Sequence, residues 1–329
     1  MMTDHDVNDN STAGRFPNPF IEQRADPQIV RHSDGRYYFT ATVPSFDRIV
    51  LRASESLAGL REAEEVTIWT AHESGPMGSH IWAPELHWID GAWYVYFAAG
   101  EAGDETADVW RIRMYVLENT GANPLEGTWT ERGRIRTPID SFSLDATTFA
   151  CAGRRYLCWA QHNPALPETN TSLYLAELAD PWTLAGEPVE LSRPEAAWET
   201  IRFAVNEGPY AIVRDGRVLI TYSASGTGAE YCVGLLSAEV GSDLLDPASW
   251  TKHDEPVFAT SEANGIYGPG HNAFTVDEDG RDVLVFHARA YAEIEGDPLD
   301  NPDRHCRLQR FDWSEAGLPV FGEPLPERR

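Results

Sequence analysis

Four ionisable side chains stand at the start of a repeated pattern in this sequence: Asp26, Asp145, Glu207 and His271. Each lies eight or nine residues before a glycine-centred turn, and a run of aromatic or branched residues follows that turn. A fifth copy of the pattern begins near Trp82. A repeat that keeps its scaffold and varies one equivalent position predicts a ring of structural units that directs different chemical groups at one point.

Three carboxyl groups in one funnel are suited to acid–base chemistry. Crowded carboxylates raise one another's pKa, so that one can stay protonated while another is ionised. A protonated carboxyl that gives its proton to a leaving oxygen, and an ionised one that activates water, together cleave glycosidic bonds. A third negative charge raises the pKa of the acid and helps to orient it. A strand-end cap or an exposed charge explains any one of these acids alone, but their shared position in the repeat favours the catalytic interpretation.

The elements that position these groups are short strands separated by turn residues. Each copy indicates a hairpin around a glycine, then a third strand and, in most copies, a weaker fourth strand. Five copies, spaced by 56 to 64 residues, predict an all-β, five-bladed β-propeller with four-stranded antiparallel blades around a central channel. A pair of β-sandwiches explains the strands but not the convergence of the ionisable residues. We expect residues 16–329 to form this single domain, after a disordered lead-in at residues 1–15.

Charge and composition restrict the partners. The chain has 52 acidic and 26 basic side chains, a formal net charge of −26, and Lys252 is its only lysine. Such a surface repels phosphate backbones and anionic lipid heads, which disfavours nucleic acid and membranes as partners. The four cysteines lack CxxC or metal-ligand spacing and are expected to be buried thiols. Residues 1–14 lack an apolar leader and no stretch of about 18 apolar residues occurs, so we expect a soluble, cytoplasmic protein.

Five motifs of the sequence are similar to those of glycoside hydrolase family 43. They are Arg24-Ala-Asp-Pro-Gln-Ile, Ile81-Trp-Ala-Pro-Glu, Ser143-Leu-Asp-Ala, Asn206-Glu-Gly-Pro and Gly268-Pro-Gly-His-Asn. The resemblance spans residues 18–321 and keeps the order of the motifs. It implies a five-bladed propeller that acts on arabinans, arabinoxylans or xylo-oligosaccharides with inversion at the anomeric carbon. It also implies that Asp26 is the general base, Glu207 the general acid, and Asp145 the residue that raises the pKa of the acid and positions it.

Further residues are candidates for contact with the substrate. These candidates are Phe46, Ile81, Trp82, Trp159, Gln161 and Arg289. Trp82 is expected to form a sugar platform at the mouth of the channel, with Phe46 packed against the sugar. Arg289 resembles an arginine that contacts the sugar or a catalytic carboxylate in related enzymes. Trp159 and Gln161 are candidate pocket walls, and ordinary blade packing is the alternative for Trp159 and Phe46.

His271 corresponds by this resemblance to the family's histidine at the channel floor, which often lies near a bound cation and its waters. Hard cations prefer oxygen ligands. We therefore expect His271 to orient water or the carboxylates, with calcium or sodium as the candidate structural cation, and a buried core histidine is the alternative. The expected chemistry requires no cofactor.

The predicted activity is that of an inverting exo-acting glycoside hydrolase that releases terminal α-L-arabinofuranose from small neutral arabino-oligosaccharides, through α-1,5 linkages. Three carboxyls in one channel would reject uronic acids. A β-xylosidase and an endo-arabinanase are alternatives within the same family. A non-catalytic carbohydrate-binding propeller is the alternative from another class, and the presence of all three carboxyls argues against it. The sequence leaves the oligomeric state open.

Overall fold

The computed structural model describes residues 16–103 and 109–328, so the predicted lead-in at residues 1–15 lies outside the described residues. The described chain forms a ring of antiparallel sheets, which confirms the prediction of an all-β, five-bladed β-propeller. Helical structure within these ranges is confined to short 3-10 turns at Ala58–Arg61, Val109–Arg111, Ala197–Glu199 and Pro247–Ser249.

In each blade the first three strands pair in chain order, beginning at the channel. Blade 1 consists of β1 (Ala25–Arg31), β2 (Tyr37–Thr42), β3 (Arg48–Ser54) and β4 (Val66–Thr70). Blade 2 consists of β5 (Pro76–Ile89), β6 (Ala92–Glu101), β7 (Arg113–Asn119) and β8 (Thr130–Arg134). Blade 3 consists of β9 (Ser143–Cys151), β10 (Arg154–Gln161), β11 (Ser172–Asp180), β12 (Thr183–Leu184) and β13 (Val189–Ser192). Blade 4 consists of β14 (Asn206–Arg214), β15 (Arg217–Ala224), β16 (Cys232–Glu239) and β17 (Thr251–Lys252). Blade 5 consists of β18 (Tyr267–Val276), β19 (Asp282–Arg289) and β20 (His305–Arg310), and β21 (Asp312–Trp313) with β22 (Pro319–Val320) forms a separate ribbon.

Two blades depart from the regular four-stranded arrangement. In blade 3 the outer edge of β11 pairs with both β12 and β13 along its length. In blade 5, Ile21 from the N-terminal segment bridges Cys306 on the outer edge of β20, where a fourth strand would lie. Asn18 bridges Arg328 in the same region. Since an uncovered strand edge is a site for unwanted pairing, the two ends of the chain protect this edge and close the ring.

The hydrophobic core is divided into five clusters, one between each pair of neighbouring blades. Leu51 and Trp93, for example, join blades 1 and 2, and Tyr96 and Trp159 join blades 2 and 3. The remaining clusters join blades 3 and 4, blades 4 and 5, and blades 5 and 1. A strand packed on both faces has no polar side, which explains why β2 is buried along its whole length. The four cysteines are free and buried, as the sequence predicted.

A β-bulge interrupts the innermost strand of every blade at the same place. Two residues there oppose one residue of the second strand, and the first of the two has a left-handed backbone. These first residues, with their φ angles, are Asp26 (52°), Ala83 (45°), Asp145 (57°), Gly208 (51°) and His271 (44°). Left-handed backbone is uncommon outside glycine and is often retained at functional sites. The five bulges therefore define one layer of the channel.

Candidate active site

The bulge layer opens into a cavity of about 540 Å³, a size typical of small-ligand sites. The structure brings together Asp26, Trp82, Asp145, Glu207 and His271 on its surface. Residues from the loops above the blades form much of the remaining wall, among them Trp110, Phe142, Phe203, Leu299 and Arg304. Residues far apart in the sequence thus meet in one pocket, as the repeat predicted.

Glu207 enters this pocket differently from the other ionisable residues. In the sequence, the distance from Glu207 to the next glycine aligns Glu207 with Asp26, Asp145 and His271. The strand register shows instead that Glu207 pairs with Ser223, one residue before the bulge, and that Gly208 takes the bulged position. A side chain on Gly208 would bring its Cβ within 3.1 Å of the His271 ring, which explains the glycine there.

The backbone of the bulge layer is fixed by side chains of neighbouring blades. In four of the five bulges the first residue donates its N–H to a side chain of the preceding blade. These hydrogen bonds run from Asp26 to His287 Nδ1 (3.0 Å), from Ala83 to Thr42 Oγ1 (2.7 Å), from Gly208 to Asp145 Oδ2 (2.9 Å) and from His271 to Ser223 Oγ (2.7 Å). Because bulged N–H groups are lost to the strand ladder and must find other acceptors, these bonds also lock the blades in register.

Asp26 is surrounded by hydrogen-bond donors and positive charge. Its Oδ2 accepts a hydrogen bond of 2.6 Å from the Thr42 hydroxyl. Its Oδ1 lies 3.3 Å from His271 Nδ1 and 3.6 Å from Arg304 Nη1. Burial by itself raises the pKa of Asp26, but His271, Arg304 and His287 outweigh it and hold the pKa well below its usual range. Asp26 is therefore ionised at neutral pH.

Glu207 lies in the opposite kind of environment. Burial, followed by the negative charge of Asp145, raises the pKa of Glu207 to about 7. The Tyr231 hydroxyl donates a 2.8 Å hydrogen bond to Glu207 Oε1 and opposes part of that rise. Glu207 therefore holds a proton up to neutral pH and can release it there, which is what a general acid requires.

Asp145 interacts electrostatically with both of these carboxyls. Burial raises its pKa to about 6, and the charge of Asp26 adds to the rise although His271 opposes it. Its Oδ2 accepts the N–H of Gly208, the residue that follows Glu207. Asp145 is thus tied to the backbone of Glu207 and raises that residue's pKa through its charge.

The pKa values of the two histidines of the site are moved in opposite directions. Burial by itself lowers the pKa of His271, but Asp26, Asp145 and Glu207 raise it above its usual value. Burial lowers the pKa of His287 to about 4. Because His287 Nδ1 accepts the N–H of Asp26, the neutral His287 ring carries its proton on Nε2. Of the two rings, His271 is therefore the one whose surroundings favour the protonated form.

Few protein side chains are available as ligands for the cation predicted near His271. In residues 16–103 and 109–328, no group of three or more His, Cys, Asp or Glu side chains is arranged to hold a metal ion. His271 Nδ1 faces Asp26 at 3.3 Å, so it orients that carboxylate directly. Within the described residues, protein side chains alone therefore do not form a metal site.

Several predicted substrate contacts lie behind the pocket wall. Phe46 packs edge-on against Trp82, with ring centroids 5.7 Å apart, and Ile81 is buried beside it. Trp159 is fully buried and donates from Nε1 to Gln161 Oε1. Gln161 in turn donates to Ile139 O and Ser141 Oγ. Both side chains belong to the blade interior and hold the loop that leads into β9, so the structure does not place them on the cavity surface.

Arg289 fixes the pocket wall from behind and does not line the cavity. Its guanidinium donates to Asn301 Oδ1 (3.0 Å), Thr227 O (2.8 Å) and Pro298 O (2.6 Å). Thr227 and Pro298 both line the cavity, on loops of blades 4 and 5. Burial lowers the pKa of Arg289 to about 10, so it remains charged. The arginines that line the cavity are Arg202 and Arg304.

Three residues of the site were not predicted from the sequence, namely Thr42, Tyr231 and Arg304. Thr42 ends β2 and pairs with Ala25, the residue before the bulge of β1, and the hairpin pattern contained that signal. Tyr231 directly precedes β16, and Arg304 directly precedes β20, at positions that no repeat emphasises. Arg304 is buried, and its Nε has no hydrogen-bond partner within the described part of the chain. Its other contacts are with Asp26 and with Leu299 O.

The fold and site define a five-bladed β-propeller with a carboxyl-lined pocket at one end of its channel. The sequence profile of glycosyl hydrolases family 43 matches residues 16–319. The chain belongs to this family, and the resemblance found in the sequence is confirmed.

Three proteins similar to this chain are named arabinofuranosidases. An "Extracellular exo-alpha-(1->5)-L-arabinofuranosidase" of Streptomyces avermitilis is 60% identical over 95% of this chain and 64% of that protein. A protein of the same name from Streptomyces chartreusis is 58% identical over 86% of this chain and 85% of that protein. The crystal structure of an alpha-L-arabinofuranosidase from Lactobacillus brevis superposes with a TM-score of 0.93 at 48% identity, covering 96% of this chain and 99% of that one. The chain thus spans about two thirds of the Streptomyces avermitilis protein.

The prediction of a cytoplasmic protein is wrong by this comparison, because both Streptomyces relatives are named extracellular. The prediction rested on the lack of an apolar leader in residues 1–14, and a missing segment does not determine where a protein acts. No helix within residues 16–103 and 109–328 is both long and apolar enough to cross a membrane.

Proposed function

We propose that this chain is an inverting exo-acting glycoside hydrolase that releases terminal α-L-arabinofuranose from α-1,5-linked arabino-oligosaccharides. The observation that carries the proposal is the contrast between Asp26 and Glu207, which face one cavity with pKa values moved in opposite directions. The names of relatives 58–60% identical support the sugar and the linkage. Residues 16–329 act as one catalytic domain in this proposal.

Asp26 is the general base. Its ionised carboxylate removes a proton from a water molecule, and the oxygen of that water attacks the anomeric carbon on the face opposite the leaving group. The Thr42 hydroxyl, the His271 ring and the Arg304 guanidinium hold the carboxylate in place before the reaction. As Asp26 takes up the proton, its negative charge is lost.

Glu207 is the general acid. It gives its proton to the glycosidic oxygen as the bond to the anomeric carbon breaks, so that the leaving sugar departs as a neutral alcohol. Asp145 keeps the proton on Glu207 before the reaction by raising its pKa. The Tyr231 hydroxyl stabilises the Glu207 carboxylate after the proton has gone.

The wall on one side of the cavity supports exo action. The loops that contain Thr227 and Pro298 border the cavity side by side, and Arg289 bonds to both. A wall fastened in this way would stop a long chain from crossing the site, whereas it leaves room for one terminal sugar. The buried guanidinium of Arg304 can donate to a hydroxyl of that sugar.

Product analysis tests the proposal. The protein is incubated with α-1,5-arabinotriose, with linear arabinan, and with aryl α-L-arabinofuranoside and aryl β-D-xylopyranoside. We expect arabinose as the first product from both arabinose substrates, release from the arabinoside well above that from the xyloside, and β-arabinose as the first anomer in proton NMR. Longer oligosaccharides from arabinan would indicate an endo-arabinanase, and xylose release a β-xylosidase. Binding without turnover would indicate a carbohydrate-binding propeller, and a retained anomer would require a covalent nucleophile.

A further inference from the structure

Two exposed aromatic side chains border the cavity and have no part in the acid–base chemistry. Trp110 is 47% exposed and Phe203 is 58% exposed, and both line the pocket. Ile201, two residues from Phe203, is also 47% exposed. Large apolar side chains gathered at one opening are a typical sign of a binding surface. Aromatic faces pack well against the C–H groups of a sugar ring.

Trp110 is held in position from one side. Its ring meets Phe142 edge-on at 5.6 Å and His162 edge-on at 4.7 Å between centroids. His162 is itself anchored, because its Nδ1 lies 3.0 Å from Thr169 O. An exposed indole that is already fixed loses little conformational entropy when a ligand stacks on it.

Phe203 is presented by a loop with a strained backbone. Arg202 has a φ of 65°, a conformation that costs on the order of 1–3 kcal/mol in a residue other than glycine. The Ile201 N–H donates to Ser225 Oγ at 3.0 Å, and the Gly226 N–H donates to Ile201 O at 3.0 Å. The Asn170 N–H donates to Ala204 O on the other side. These bonds keep Phe203 at the rim.

Both aromatic residues belong to the acid side of the pocket. Phe142, which supports Trp110, precedes Asp145 by three residues, and Phe203 precedes Glu207 by four. The base side is covered instead by Pro298, Leu299 and Arg304. A general acid must touch the leaving oxygen, so the leaving sugar lies on the Glu207 side of the scissile bond.

We propose that Trp110 and Phe203 form the binding platform for the pentose residue on the leaving-group side of the scissile bond. This inference rests on the proposed function. It identifies the residues that would favour an arabinose joined to a second sugar over an arabinose that carries a small leaving group. The platform contacts the sugar that departs, so its contribution depends on whether the leaving group is a sugar at all.

Leaving groups of different size separate platform binding from chemistry. We compare Trp110→Ala and Phe203→Ala with the unmodified protein on α-1,5-arabinobiose and on α-L-arabinofuranosyl fluoride, whose leaving group is one atom. Each variant should lower kcat/KM for arabinobiose by about tenfold, the loss expected for one stacked ring. With the fluoride, kcat/KM should stay within about twofold. Trp88→Ala is the matched control, because Trp88 is 38% exposed and lies about 20 Å along β5 from Trp82.

Three results would overturn the platform. Equal losses on both substrates would show that the variants damage the catalytic pocket or the fold, and thermal melting of each variant identifies the second cause. Unchanged kcat/KM on arabinobiose would show that the rings bind no sugar there. A comparable loss in Trp88→Ala would show an unspecific effect. If the unmodified protein hydrolyses neither substrate, the proposed function fails. If it hydrolyses both substrates and both variants have the same kcat/KM values as the unmodified protein, the proposed function stands and only the platform is refuted.

Discussion

Blade 1 and blade 4 present the same chemical group to the same cavity and leave it in opposite states. Asp26 of blade 1 meets a hydroxyl donor, two imidazole rings and a guanidinium, and its pKa falls. Glu207 of blade 4 meets the buried carboxyl of Asp145 and one donating hydroxyl, that of Tyr231, and its pKa rises to about 7. Burial by itself raises the pKa of both side chains, so burial does not distinguish them.

The difference lies in what the neighbouring blades contribute. Blade 5 surrounds Asp26 with His271, His287 and Arg304. Blade 3 places Asp145 beside Glu207. A ring of similar sheets can therefore produce an acid and a base from equivalent strands, since the preceding blade around the ring determines the electrostatic surroundings of each carboxyl. The experiments below test each half of this contrast, from the largest expected effect to the smallest.

The Asp26→Asn variant removes the base and should have the largest effect. Asparagine keeps the shape of the side chain and tolerates the left-handed backbone at this position, so the fold should persist. We expect kcat on arabinobiose to fall by about 10²–10⁴-fold, measured as arabinose release. Asp215→Asn, at an exposed turn of blade 4 with a φ of 48°, is the matched control and should keep full activity. Substantial activity in Asp26→Asn would assign the base to another group.

Glu207→Gln removes the acid and should separate substrates by their leaving groups. A sugar alcohol needs a proton to depart, whereas an activated aryl leaving group needs little help. We expect kcat on arabinobiose to fall about 10²-fold or more, with a much smaller loss on a dinitrophenyl arabinofuranoside. Glu239→Gln, at an exposed strand end of blade 4, controls for the substitution itself. Equal losses on both substrates would contradict the acid role.

The sequence predicted the architecture and the principal carboxyls because both follow from local, repeated patterns. The hairpins and their glycine turns fix the blades, and Asp26, Asp145 and His271 occupy the same bulge in three of them. Glu207 was aligned one residue out of phase because hairpin turns differ in length, being two residues long in blades 3 and 4 and five in blades 1 and 5. A count back from the turn glycine does not allow for such differences, which only the pairing of the strands reveals.

The surroundings of the carboxyls could not be predicted, because they depend on contacts between blades. Arg289 was chosen for its place on β19, yet its guanidinium turns towards the loops behind the wall. Arg304, which faces Asp26, follows a loop without a repeated pattern. Trp159 illustrates the same limit, because a tryptophan on a blade strand suits a pocket or a core equally well until the neighbouring blade is known.

The pH dependence of the unmodified protein is a smaller and more specific test of the contrast. A raised pKa means that Glu207 carries its proton below about pH 7 and loses it above, so kcat/KM on arabinobiose should decline as the pH rises through about 7. The pKa of Asp26 is lowered, so the base stays ionised well into the acid range and no acid limb should appear near pH 5–6. An acid limb there, in protein shown to be folded at that pH, would contradict the environment described for Asp26.

Tyr231→Phe should give the smallest effect, a shift of the alkaline limb of this profile. The Tyr231 hydroxyl donates to Glu207 and favours its ionised form, so its removal raises the pKa of Glu207 and moves the limb to higher pH. The rate below pH 6 should change only a few-fold. Tyr94→Phe, which removes a similar hydroxyl that donates to Glu118 at 2.6 Å, is the control and should leave the limb in place. Tyr231 also stacks on His287, and a purely structural role would lower the rate at every pH and leave the limb where it is. A shift of the limb to higher pH therefore shows that Tyr231 acts on the pKa of Glu207 and not only through packing beside the base.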